Sequence, residues 1–191
     1  MIHEKLIQRE AEGNPIKVAI VGTGHMGAGT AYQISTMKGI TVAVLAERDV
    51  PKAVKVFETN GIPESRICIT NRLSEAQDAV RSGQPVVTEN AEMVSQIDGV
   101  DAVVEATGLP EIGARIAYDA IMAGKHTIML NIEADVVVGP ILSRLAKRAG
   151  VVYSIAAGDQ PGAICELADW AKTLGLDIIA AGRGTWLKPS G

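Results

Sequence analysis

The sequence is poor in aromatic residues, cysteine and histidine. Only 3% of its 191 residues are Phe, Trp or Tyr. The two cysteines, Cys68 and Cys165, lie far apart and cannot form a disulfide framework. They read as buried free thiols in a reducing compartment. His3, His25 and His126 are scattered without metal-ligand spacing, so no metal site is expected. No apolar run reaches about 18 residues, which excludes a spanning helix of ordinary length. The opening Met1-Ile2-His3-Glu4-Lys5 lacks a secretory h-region, and the expected compartment is the cytoplasm. Net charge is −4 with acids and bases interspersed, which argues against a basic nucleic-acid face.

What is abundant is small and branched aliphatic side chain. Apolar residues make up 47% of the chain, almost all of them Ala, Val, Ile and Leu, the usual lining of a parallel sheet. The length suits one domain, able to bury about 70% of its unfolded surface. The expected organisation is a helical extension over 1–15, an α/β domain over 16–185 and a tail over 186–191.

The most informative stretch runs from Lys17 to Asp49. Val18-Ala19-Ile20-Val21 has the unbroken apolar character of a strand buried on both faces. Gly22-Thr23-Gly24-His25-Met26-Gly27 follows at once, and Met26, Ala31 and Ile34 continue at roughly helical spacing. Thr41 to Leu45 reads as a second strand, closed by Glu47. Strand, G-x-G-x-x-G, helix, strand and acid together form the dinucleotide-binding fingerprint. Gly22 permits a sharp turn off the strand. Gly24 lets the backbone approach a pyrophosphate, and Gly27 lets helix and strand pack closely. The helix N-terminus offers unpaired N–H groups to phosphate. Glu47 is placed to accept from an adenosine ribose. Arg48 is placed to stack on adenine or pair with a 2′-phosphate, or to be a solvated turn charge. Glu47 would repel a 2′-phosphate, so this pair is compatible with NAD and NADP alike.

The remaining pattern alternates helix and strand. Residues 2–11 suggest a short helix ended by Gly13-Asn14-Pro15. Pro51 starts a helix to about Asn60. Arg66–Thr70 reads as a short strand, Ser74–Arg81 as a helix and Gln84–Thr88 as a strand that Pro85 confines to an edge or a strand start. Asp101–Ala106 is a strand ending at Thr107-Gly108. Pro110 to Ala123 is a helix with Ile112, Ile116, Ala120 and Ile121 inward. His126–Leu130 is a strand leading to Asn131-Ile132-Glu133. Pro140–Ala149 is a helix with Ile141, Leu142, Leu145 and Ala149 inward. Val151–Ile155 is a strand, Pro161–Leu174 a helix and Leu176–Ala181 a last strand. This order predicts a doubly wound, mostly parallel sheet of the Rossmann type, with ligand at the carboxyl ends of the strands.

The segments VVEATG, MLNIEADVVVGP and AGDQPGAICEL resemble homoserine dehydrogenase-like proteins. The closer resemblance is to the branch with a C-terminal SAF-type domain, which includes a 1-deoxy-D-xylulose 5-phosphate reductoisomerase-like protein. It covers about Lys17 to Gly184. It implies an NAD(P)-dependent oxidoreductase acting on a small carbonyl or alcohol substrate, with NADP(H) favoured and a homo-oligomer in the full-length protein. A reductoisomerase of isoprenoid precursor synthesis is the alternative enzyme, and a domain that binds NAD(P) without turnover is the alternative from another class. The lysine that usually follows Asn in homoserine dehydrogenases is absent, since Asn131 is followed by Ile132. The resembled proteins continue into a dimerisation and substrate domain, so the chain is expected to be the cofactor part of a longer enzyme. The expected cofactor residues are Gly22, Thr23, Gly24, His25, Met26, Gly27, Glu47, Arg48, Thr107, Gly108 and Asn131. Met26 is also expected to pack in the core as its helix starts. Asn131, Glu133 and Asp159 are the candidates towards substrate, with Glu133 and Asp159 equally suited to helix capping. Cys165 is expected to be packed rather than nucleophilic.

Overall fold

A computed structural model describes residues 1–155 and 160–182. The chain divides into two units after Ser154. The first opens with helix α1 (Ile2–Ala11) and strand β1 (Ile16–Val21), followed by α2 (His25–Ser35), β2 (Ile40–Ala46) and α3 (Val50–Thr59). Then come β3 (Cys68–Ile69), α4 (Leu73–Ser82), β4 (Val86–Thr88), a 3-10 segment (Ala91–Gln96) and β5 (Ala102–Glu105). It continues with α5 (Pro110–Met122), β6 (His126–Met129) and α6 (Ile132–Ala149), and β7 (Tyr153–Ile155) runs across the division.

The seven strands form one sheet in the order β3-β4-β2-β1-β5-β6-β7. The pairings from β3 through β6 are all parallel. The strand order turns back at β1, with β2 on one side and β5 on the other, which is where doubly wound sheets bind ligands. Register places Thr88, Ala46, Val21, Glu105 and Met129 in one row at the carboxyl ends. The residues immediately after that row therefore share one edge.

Alternation along the strands sends side chains to two cores. Ala19, Val21, Val44, Val86 and Val103 meet α4, the 3-10 segment and α5. Val18, Ile20, Leu45, Val87 and Val104 meet α2 and α3 around Phe57. A register shift between Val18 and Ala19 explains why adjacent Ala43 and Val44 join the same core. Pro85 precedes β4 at its start rather than at an edge, since β4 lies between β3 and β2, and its carbonyl accepts from Cys68 N–H.

Several local expectations are corrected. Met26 is 58% exposed, so it is not core; the buried stripe of α2 is Gly27, Ala31 and Ile34, one residue further on. Ile112 and Ile141 are exposed, and Ala149 also faces solvent. The buried residues of α6 are Ala134, Gly139, Leu142 and Ala146. Helix α6 begins at Ile132 and runs through Pro140, because a proline removes one backbone bond while Asn131 anchors the start. Cys68 is half-buried and Cys165 exposed, so neither is a buried thiol.

In the second unit α7 spans Gln160–Thr173, and no strand forms over Leu176–Ala181. Among the described residues no helix is long and apolar enough to cross a membrane.

Candidate functional site

The aligned strand ends open into a cleft of about 510 Å³. Gly22, Glu47, Glu89 and Ala106 line it, each directly following a residue of the aligned row. Gly24, Arg48, Lys52, Thr107, Ile112 and Arg115 complete its polar and apolar walls.

The glycine turn is built for close approach. Gly22 has φ +92°, and a Cβ there would sit 2.8 Å from the Ala106 carbonyl oxygen. A Cβ at Gly27 would run into the Gly22 carbonyl. These two glycines serve the fold directly. Gly24 differs: it is the N-cap of α2, has no positive φ, and a Cβ there would meet nothing within 4 Å. The first turn of α2 has no side-chain cap, so its leading N–H groups remain available to an anion. A cradle of this shape, with open space only at Gly24, fits a pyrophosphate.

Glu47 lies in the wall between the glycine turn and α3. Its Oε2 accepts from the Thr23 N–H at 2.9 Å and the Thr23 hydroxyl at 2.8 Å. Lys52 Nζ is 3.7 Å away. Burial raises the carboxyl pKa, but the Thr23 and Asp49 hydrogen bonds and the Lys52 charge outweigh it and hold it below the usual range. One oxygen of the acid therefore braces the loop. Thr23 is buried behind the turn. Among the described residues Arg48, which lines the cleft, has no ion pair or hydrogen bond, whereas Lys52 is tied to Glu47 and Arg115 to Glu92 at 3.2 Å.

On the other side of β1, Thr107 lines the cleft and Gly108 follows it with φ +68°. Glu105 Oε1 accepts from Thr107 N–H at 2.8 Å. His25 and Met26 are exposed and do not line the cleft. Asn131 is 1% exposed and caps α6: its Oδ1 accepts from Ala134 N–H and its Nδ2 donates to the Leu109 carbonyl. It steadies the β5–α5 loop rather than opening on the cleft. Glu133 is exposed on the first turn of α6. Asp159 lies outside the described residues.

Two structural groups lie apart from the cleft. Lys125 precedes β6 at the opposite edge of the sheet, and its Nζ donates to the Ile97 and Val100 carbonyls. Burial lowers its pKa, against the opposing pull of Asp98 and Asp101. Tyr153 donates to Asp135, and burial together with that carboxylate pushes its phenol up.

Sequence reasoning missed Lys52, the Glu89–Glu92 stretch, Ile112 and Arg115. Ile112, Arg115 and Ile116 share one face of α5 at i, i+3, i+4 spacing, the one signal that pointed to a common surface.

A sheet that turns back at β1 and a glycine-cradled cleft at its carboxyl edge are the features of a dinucleotide-binding domain. More particularly, the chain belongs to the family described as homoserine dehydrogenase, NAD binding domain, whose model matches residues 22–155. A second model, oxidoreductase DRL, catalytic domain, matches residues 158–190. A 1-deoxy-D-xylulose 5-phosphate reductoisomerase of Chlorobium chlorochromatii is 32% identical over 131 residues, 68% of this chain but 29% of that protein. An NAD binding oxidoreductase from Klebsiella pneumoniae shares the fold with a TM-score of 0.58 at 19% identity, over 84% of this chain and 39% of that one. A biliverdin reductase from Synechocystis sp. PCC 6803, in complex with biliverdin and NADP+, does so with a TM-score of 0.56 at 18% identity, over 84% and 43%. The chain thus spans well under half the length of these relatives.

Proposed function

We propose that this chain is the cofactor domain of an NADP(H)-dependent oxidoreductase acting on a small CH–OH or carbonyl substrate. The carrying observation is the cleft at the β1 switch point, lined by Gly22 and Gly24 and, at its β2 side, by Arg48, which is unpaired among the described residues. Gly22, Gly24 and the start of α2 would hold the pyrophosphate. Glu47 braces the turn through Thr23. Arg48 would take a 2′-phosphate, since among the described residues it is the cleft cation not already committed to a carboxylate. Thr107 and Gly108 would border the nicotinamide ribose, on the β5 side of β1. The nicotinamide supplies hydride chemistry when bound; the domain binds, orients and partly shields it.

The reductoisomerase reading is a specific form of this proposal, supported by the relative that is 32% identical over 131 residues. There, rearrangement of a sugar phosphate precedes reduction. Asn131 and Glu133 stand near the α6 start, where they would support rather than contact the reacting atoms. The cytoplasm and a homo-oligomeric full-length protein belong to the same proposal.

Titration of the protein with NADPH and NADH, for wild type and Arg48→Ala, tests this reading. A charge-assisted contact is worth about 1.5–3 kcal/mol, so Arg48→Ala is expected to weaken NADPH by about one to two decades and leave NADH nearly unchanged. Equal losses for both cofactors would point to adenine stacking instead, and absence of binding to either would refute the proposal.

A further inference from the structure

Glu105 is fully buried at the last position of β5, 0% exposed. Such a group needs partners for both oxygens. Oε1 accepts from the Thr107 N–H at 2.8 Å. Oε2 has no partner among the described residues. It points towards Gly113 of α5, where a Cβ would lie 2.6 Å from Oε2 and 2.5 Å from Asn131 Nδ2. Asn131 Nδ2 gives one hydrogen to the Leu109 carbonyl and keeps a second. A carboxyl oxygen and an amide hydrogen thus face one small space that exists because residue 113 has no side chain. Both side chains also grip the same loop: Glu105 holds it at Thr107, and Asn131 holds it at Leu109. A buried, half-satisfied acid is costly for stability alone, and a Leu or Met would fill the site at no such cost.

We propose that Glu105 is a positioning residue for the nicotinamide half of the cofactor. It fixes the Thr107-Gly108-Leu109 turn, which forms the β5 wall of the cleft, and it does so with Asn131 as second anchor. The inference rests on the cofactor reading above. Glu105 does not touch the ligand; it acts through the Thr107 N–H. The adenosine half lies on the other side of β1, against Glu47 and Arg48, and does not depend on this turn.

The test separates the two halves of the ligand. NADPH carries both, whereas 2′,5′-ADP carries only the adenosine half with its 2′-phosphate. Their affinities are measured for wild type, Glu105→Ala, Glu105→Met and Glu105→Gln. Glu105→Met fills the volume while removing the acceptor, so it guards against a folding failure in the alanine variant. Losing a buried acceptor is expected to weaken NADPH about tenfold or more, with 2′,5′-ADP unchanged. Glu105→Gln keeps an acceptor for the Thr107 N–H and should restore most of the NADPH affinity. Equal weakening of both ligands in Glu105→Met would make Glu105 a packing residue and overturn the proposal, as would unchanged NADPH affinity. If wild type binds 2′,5′-ADP but not NADPH, the nicotinamide placement fails while the adenosine site stands. If it binds neither, the cofactor reading itself fails.

Discussion

At the scale of single residues, the three motif glycines do different work. Gly22 and Gly27 press against backbone, while Gly24 faces open space. Gly27→Ala should therefore cost stability by about 1–3 kcal/mol through overpacking, lowering Tm by about 2–4 °C for each kcal/mol. Thermal unfolding checks it. The spacing of the motif made all three legible as glycines, but a pattern in one dimension does not tell a glycine that spares the fold from one that admits a ligand. Glu47 was legible as the acid closing β2, yet its grip on Thr23 was not, because that contact depends on how the two strand ends align. The grip has a pH signature. Its folded pKa is depressed below 4.5, so its contribution to stability is complete above the unfolded value and is lost as pH falls through the folded one. The Tm difference between wild type and Glu47→Gln should be widest near neutral pH and should shrink as pH falls below about 4.5. A gap that widens in acid would contradict the assigned role.

At the scale of elements, the strands were the easiest to read. Val18–Val21 and Ala102–Val104 are buried on both faces, so they appear as unbroken apolar runs. Helix stripes were less secure. Ile112 falls on the periodic apolar side of α5, but it is 43% exposed and lines the cleft instead. Periodicity reports a face and not how far the sheet extends beneath it. Helix α6 was read as starting at Pro140, since proline commonly marks a helix start. The earlier signal was Asn131 with acids at Glu133 and Asp135 behind it, the pattern of an N-cap and first turn. Removing that cap tests its weight. Asn131→Ala should cost about 1–2 kcal/mol in urea unfolding and speed amide exchange over the first turn of α6. Unchanged exchange there would show that α6 is anchored elsewhere.

At the scale of the molecule, the proposed function makes this domain one side of an active site. Among the described residues the cleft offers cations towards the adenosine end, but Lys125 lies at the opposite edge of the sheet and Asn131 is spent on capping. At the β5 side the described donors that line the cleft are the Thr107 hydroxyl and Arg115, whose guanidinium is paired with Glu92, so a single neutral hydroxyl is what remains there to meet a developing alkoxide. This chain is therefore expected to oxidise NADPH poorly with homoserine-type semialdehydes or deoxyxylulose phosphate. A version extended to the length of its relatives should show a kcat/KM higher by about a hundredfold or more, the usual effect of supplying an oxyanion donor. Equal kcat/KM would mean that the catalytic groups are already present here. The central claim, that the glycine-cradled cleft holds the dinucleotide, is tested most directly by calorimetry of NADPH binding to wild type and Gly24→Val. The added Cβ meets no protein atom within 4 Å, so the variant should fold, with Tm lowered by no more than the loss of a glycine N-cap, about 1 kcal/mol. Its NADPH affinity should fall at least about tenfold, since backbone approach to the pyrophosphate is blocked; a folded Gly24→Val that binds NADPH as tightly as wild type would contradict the account.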